Sequence, residues 1–279
     1  MGFSVNIRNI LIILLKNLFS KFLNSSTVER AKSRLGLSFK TQKELPNNIT
    51  IGMAILAYER PEYLEICLNS LFKTNLHDYD ITFFIIDDGS KDKRVKEIIN
   101  KPRDKKYKII RIFKEKGPNS AGAAINRAMR EVLEHSNFDL VGWSDPDALY
   151  HPDWLKYTMD IFLWAKKHHR DHVLGPITSF NSSDFIYHQV LGAYESPYGK
   201  YIVKRQAGML NYFYFRSDFE KFGSFIENLE DETDMTNRFE SLKIRNFCPD
   251  VSYIEHIGQE SVLNKWRPVK YKRAMFALH

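Results

Sequence analysis

Two carboxylates one residue apart, Asp145 and Asp147, follow an apolar run, Phe138 to Trp143, that reads as a short buried strand. In an α/β protein ligands gather at the carboxyl ends of strands, so oxygen donors at that point are placed to hold a hard cation. Pro146 between them stiffens the loop and withholds one backbone donor. Taken alone, the triplet also reads as an ordinary Asp-Pro turn, and the rest of the chain has to decide. A second acidic cluster, Asp87-Asp88-Gly89-Ser90, runs straight on from the apolar stretch Ile81 to Ile86. It is either a binding turn or a strand-to-helix turn with Ser90 as the helix cap.

The elements that must position these groups alternate in type. A buried strand is expected over Ile49 to Ala57, then a turn through Tyr58-Glu59-Arg60-Pro61 and a helix over Glu62 to Phe72, with proline near its first turn. A strand over Ile81 to Ile86, a helix over Lys93 to Asn100, a strand over Lys108 to Phe113 and a helix over Ser120 to Glu134 follow. The strand ending at Asp145 closes the series. Regular succession of strand, helix and strand implies a parallel sheet with right-handed crossovers, which puts the acidic turns on one edge.

The chain has 279 residues, enough for one large domain with appendages. Its 41 Lys and Arg against 34 Asp and Glu give a net charge of +7, which favours anionic partners such as nucleotides, lipid phosphates or a membrane surface. Nucleic acid is not expected, because zinc-type spacing, a recognition-helix signature and aromatic RNA-binding motifs are all missing. Cys67 and Cys248 lie far apart and Cys67 faces the core of a helical pattern, so a disulfide framework is not expected and a reducing cytoplasm is the simplest setting.

Residues 5–23 are the most apolar segment, but the uninterrupted run Ile10 to Leu15 is too short to span a bilayer and lacks a signal-type cleavage site. Arg8, Lys16 and Lys21 suit an amphipathic helix lying at the inner face of a membrane. A helix packed on the protein's own core, or in an oligomer contact, is the other reading. Residues 24–48 read as a polar linker with one short helix over Val28 to Leu35.

Three motifs in order carry a resemblance. Ala57-Tyr58-Glu59-Arg60-Pro61-Glu62-Tyr63-Leu64, the Asp87-Asp88-Gly89-Ser90 turn, and Asp145-Pro146-Asp147 with Pro152-Asp153-Trp154-Leu155 resemble the family 2 glycosyltransferases of GT-A fold, from about Ile49 to Ser261. The resemblance implies an α/β GT-A fold: a Rossmann-like, mostly parallel central sheet flanked by helices, with an N-terminal helical extension. It divides the chain into an amphipathic helix and linker (1–48), a glycosyltransferase domain (49–258) and a basic tail (259–279). Within the domain, residues 49–147 form the nucleotide-sugar half and 148–258 the acceptor half.

The implied activity is metal-dependent, inverting transfer of a sugar from a nucleoside-diphosphate sugar, a UDP- or dTDP-sugar in first place, to a hydroxyl of a glycan or lipid-linked acceptor in surface glycan synthesis. Donor contacts fall on Ala57, Tyr58, Glu59, Asp87, Asp88, Ser90, Asn126, Ser144 and Asp145. Tyr58 offers a ring for stacking, and a carboxylate at Asp87 or Asp88 accepts from a base NH. Glu59 stands where the family usually has Asn, and Ile125 where it commonly has Arg. Arg127, two residues along the helix, points elsewhere and is expected to be exposed. Mn2+ or Mg2+ falls to Asp145, Asp147 and His256, with a half-buried, carbonyl-bonded histidine as the other reading of His256.

The segment Glu230-Asp231-Glu232-Thr233-Asp234 with Arg238 resembles the helix that supplies the catalytic base, and two alignments give Asp231 or Glu232 that role. The acidic amino end of a surface helix has the same composition. The tail with Lys265, Trp266, Arg267, Lys270, Lys272 and Arg273 is either a lid over the diphosphate, or a contact to a lipid phosphate, or a solvated end. A non-catalytic nucleotide-sugar-binding or scaffold subunit and, with less support, a nucleotidyltransferase remain as other functions. The latter lacks a good phosphate loop, since Ile51-Gly52-Met53-Ala54 is a poor candidate.

Overall fold

Strands rich in Ile, Val and Phe, buried on both faces, alternate with helices that bury one stripe. The computed structural model describes residues 48–117, 119–180, 188–227 and 231–258, the side chains of Asp231 and Glu232 excepted. The helix expected over residues 5–23, the linker to residue 47 and the tail 259–279 lie outside the described residues. The described residues all fall in one compact unit, Pro46–His279.

The first half contains β1 (Thr50–Ala57), α1 (Pro61–Leu71), β2 (Asp80–Asp87), α2 (Lys93–Asn100), β3 (Lys108–Phe113), α3 (Ala121–His135) and β4 (Leu140–Ser144). Its strands lie in the order β3-β2-β1-β4, all parallel, as the alternating pattern predicts. The register sets Ala57 beside Asp87 and Asp87 beside Phe113, while Ser144 ends β4 opposite Ile55. The carboxyl ends are therefore nearly level. Since β1 leads to β2 on one side and pairs β4 on the other, the crevice between β1 and β4 is the switch point where such sheets bind ligands.

The second half begins with β5 (Ala148–Tyr150) and α4 (Trp154–His168) and continues through β6 (Val173–Thr178), β7 (Val190–Ser196), β8 (Gly199–Lys204) and β9 (Asn211–Phe215). A short helical turn, Arg216–Asp218, passes into a π turn, Phe219–Gly223, before α5 (Asp231–Ser241), β10 (Ile244–Pro249) and β11 (Ile254–His256). The sheet continues from β4 as β9-β6-β10-β8-β7, and β9 runs antiparallel to both of its neighbours. A separate ribbon pairs β11 with β5, His256 opposite Ala148.

Trp143 holds the junction of the halves. It stacks on Tyr212 of β9 at 4.8 Å, meets Phe225 edge-on at 5.5 Å, and donates its indole N–H to the Met209 carbonyl at 3.3 Å. The buried tryptophan thus has its one donor satisfied while its ring fills the core. Arg216 accounts for the other end of α3, donating to the carbonyls of Leu133 and Ser136 that the last helical turn leaves unpaired. Cys67 and Cys248 are both free, buried thiols. No helix among the described residues is long and apolar enough to cross a membrane.

Candidate active site

The residues singled out after β1 and β2 meet in one cradle. The Asp88 amide donates to the Ala57 carbonyl at 2.9 Å, tying the end of β1 to the turn after β2. The Asp87 carboxylate accepts from the Ser90 amide at 3.0 Å, and the Ser90 hydroxyl accepts from the Glu59 amide at 2.8 Å. Glu59 is the clasp: its carboxylate accepts from the amides of Lys91 at 2.9 Å and Asp92 at 3.3 Å. Glu59 and Arg60 both have left-handed backbone, φ 52° and 54°, which non-glycine residues seldom adopt. The Tyr58 ring lies on the Gly117 backbone, where a Cβ would stand 2.8 Å from the ring.

Asp87 and Asp88 are buried, and one oxygen of each, Oδ2, has no hydrogen-bond partner among the described residues. Burial pushes the Asp88 carboxyl above its ordinary pKa, against the pull of Arg127. Arg127, expected to be exposed, turns back instead and donates to Asp88 Oδ1 at 2.5 Å and to the Lys116 carbonyl at 2.9 Å. The helix rule about directions holds for neighbours on one helix, but the partner sits on another element.

Across the crevice, Asp147 is the most enclosed group of the acidic loop, its side chain 5% exposed. Its Oδ2 lies 3.2 Å from His256 Nε2 and 2.9 Å from Arg60 Nη2, the latter an ion pair in which the N–H is not aimed at the oxygen. Its Oδ1 has no hydrogen-bond partner among the described residues. Burial alone would raise the Asp147 pKa, but the imidazole of His256 and the guanidinium of Arg60 outweigh it and lower it. The backbone of Gly258 closes over the pair, so that a Cβ there would stand 2.0 Å from Asp147 Oδ2 and 2.6 Å from Arg60 Nη2.

His256 reaches Asp147 because the β5–β11 ribbon starts just after the acidic loop, with the Ile257 amide donating to the Asp147 carbonyl at 2.9 Å. Asp145 is half-buried, and its amide donates to the Leu210 carbonyl at 2.9 Å. Asp147 and His256 could hold a divalent cation. A buried carboxylate with one open oxygen, its other oxygen beside an imidazole, offers donors that suit Mn2+ or Mg2+. No cluster of three such ligands occurs among the described residues, so the remaining coordination positions would fall to the donor's oxygens or to water.

Two residues expected to touch the donor are engaged within the protein. The Ser144 side chain is fully buried and accepts from the Tyr150 hydroxyl at 2.6 Å. The Asn126 side chain grips the Phe225 backbone, donating to its carbonyl at 2.8 Å and accepting from its amide at 2.9 Å, which fastens α3 to the segment before α5. Asp231 and Glu232 begin α5, and their side chains lie outside the described residues. That helix is anchored by Arg238, which donates to the Phe222 carbonyl at 3.1 Å and pairs with Asp234 at 3.1 Å. Arg60, Arg127 and Gly258 were not among the expected site residues. For Arg60 the available sign was its position in the turn after β1.

A parallel half-sheet with nucleotide-type turns at its switch point, joined to a mixed half that carries an acidic helix, defines a GT-A-type glycosyltransferase architecture. The chain belongs to glycosyl transferase family 2, whose family model matches residues 53–227. No curated protein sequence matches it. Among solved structures it is similar to residues 1–349 of S. aureus TarS in complex with UDP-GlcNAc, with a TM-score of 0.55 at 16% identity over 79% of this chain and 62% of that one. A mannosyltransferase from Pyrobaculum calidifontis, solved with GDP-Man and Mn2+, gives a TM-score of 0.48 at 13% identity over 78% and 61%. The chain thus spans about three fifths of the length of these two solved chains.

Proposed function

We propose that the chain transfers a sugar from a nucleoside-diphosphate sugar to an acceptor hydroxyl, inverting the anomeric centre, with a divalent cation at Asp147. The observation that carries this reading is Asp147 itself: a buried carboxylate with an orphaned oxygen, beside an imidazole, at the switch point and across the crevice from the Tyr58 and Asp87-Asp88 cradle. In this reading Tyr58 stacks on the base, and Asp87 or Asp88 uses its open oxygen to accept from the base NH. Asp147 and His256 would hold the cation, with Asp145 reaching the ribose or a metal-bound water, and the cation when bound would neutralise the charge gathering on the leaving diphosphate.

Asp231 or Glu232 takes the proton from the acceptor hydroxyl as it attacks opposite the diphosphate. Glu59 and Asn126 fix the backbone around the donor and Ser144 holds the Tyr150 hydroxyl, which is what their hydrogen bonds favour. Attachment to a membrane through residues 5–23, and a lipid-linked acceptor, belong to the same reading and rest on the sequence alone.

The test is hydrolysis and transfer with a panel of nucleotide sugars and Mn2+. The wild type should release nucleoside diphosphate slowly from its own donor. The Asp145→Ala, Asp147→Ala double variant should neither hydrolyse it nor gain thermal stability from nucleotide and Mn2+. One of Asp231→Asn and Glu232→Gln should lose about a hundredfold to ten-thousandfold in transfer while still binding donor. Wild-type turnover in both would remove the base assignment, and donor binding unchanged in the double variant would remove the cation site.

A further inference from the structure

Arg60 puts a fixed positive charge where the reading above needs a divalent one. Its guanidinium is held from three sides. The left-handed backbone at φ 54° directs the residue inward just before Pro61 starts α1, and the Tyr63 ring lies under the guanidinium carbon at 4.3 Å. Asp147 Oδ2 is 2.9 Å from Nη2, and the Gly258 backbone closes the far side. The Arg60 side chain is 19% exposed, so the pair is poorly screened by water. One carboxylate oxygen therefore already faces both a guanidinium and His256, while the other is left open.

We propose that Arg60 is a tethered counter-ion that competes with the divalent cation for Asp147, so that metal binding must displace the guanidinium from the carboxylate. This rests on the reading of Asp147 as a cation ligand. The physical reason is direct. Two cations within contact distance of one carboxylate repel each other, and in a partly dehydrated site that repulsion is several times stronger than in water. Without a metal, Arg60 offsets the cost of burying Asp147, and the enclosed acid remains ionised and ready. When a metal arrives, the guanidinium still has the Tyr63 face to rest on, so its release does not leave it without an attractive surface.

Mn2+ alone, titrated into the full chain and followed by the electron paramagnetic resonance of the free ion, tests this. Arg60→Met should bind Mn2+ at least about tenfold more tightly than the wild type, equivalent to about 1.4 kcal/mol. Arg60→Lys keeps the charge on a shorter, unstacked side chain and should fall between them, so it serves as the reporter if the methionine variant does not fold. Asp147→Asn added to either variant should abolish the gain. Equal or weaker Mn2+ binding in both Arg60 variants, with wild-type binding still dependent on Asp147, would overturn the competition and leave the cation site standing. Mn2+ binding that ignores Asp147→Asn would overturn the site itself.

Discussion

At the scale of single residues, Arg127 carries more than its place on α3 indicated. Asp88 has a side chain only 6% exposed, and Arg127 is the cation that meets it. Arg127→Met should therefore destabilise the protein by about 2 kcal/mol, below the cost of breaking a fully buried pair because the arginine is 31% exposed. The loss should depend on pH. Burial already raises the Asp88 pKa and Arg127 restrains it, so without Arg127 the folded-state value rises further above the unfolded value of about 3.9. An acid raised in this way costs stability once pH exceeds its unfolded pKa, and the cost is complete above the folded pKa. The deficit of the variant should be full at neutral pH and shrink as pH falls towards 4. Urea melts at several pH values measure this, and a deficit that does not vary with pH would show that Asp88 is not the group Arg127 serves.

At the scale of elements, the end of α4 is tied to β8 through His169. Its Nδ1 meets the Tyr201 hydroxyl at 2.9 Å, its Nε2 meets His172 Nδ1 at 3.2 Å, and the Tyr194 ring stands edge-on at 4.5 Å. Burial, and then His172, lower its pKa to about 4. The sign follows: the folded protein holds His169 neutral, so stability is complete above the unfolded pKa of about 6.5 and falls as pH drops from there towards 4. Allowing for partial solvation, this tie should cost the wild type about 2 kcal/mol across that range. His169→Gln, which keeps a polar partner for Tyr201 but does not titrate, should flatten that part of the curve when melting is followed from pH 7 to pH 4. An unchanged slope would count against the tie.

The parallel half was legible because its βα units declare themselves locally, through apolar runs and helix starts marked by Pro61, Asp92 and Ser120. Asp145-Pro146-Asp147 and Asp87-Asp88-Gly89-Ser90 sit at the ends of their strands as their spacing predicts. What was not legible is what distant pairing decides. The three-residue strands β5 and β11 are too short to show a period, so the meeting of His256 with Asp147 that their register makes is expected from the family resemblance and not from any local pattern. Asn126 looked available to a donor, but a side-chain amide matches a peptide group in shape, and Phe225, 99 residues on, offers one. Arg60 stands in the turn after β1, but nothing local shows that its side chain reaches Asp147.

At the scale of the whole molecule, both halves share one sheet. β9 gives its backbone to β4 on one edge and to β6 on the other, with Trp143 and Tyr212 stacked across the first of these seams. Residues 49–258 should therefore unfold in one cooperative step, with near-ultraviolet and far-ultraviolet circular dichroism giving the same midpoint. Separate transitions for the parallel and mixed halves would contradict this. The amides of β4 and β9 should also be among the slowest to exchange with solvent, since they open only when the whole sheet does.

A continuous seam of this kind has a mechanical consequence. Two lobes joined by a loop can close on a substrate like a hinge, but two lobes that share strands cannot rotate without tearing ladder bonds. Entry to the crevice is then a matter of clearance at the strand ends. In the proposed reaction the spacing between donor and acceptor is therefore expected to be set when the sheet forms, before any ligand arrives.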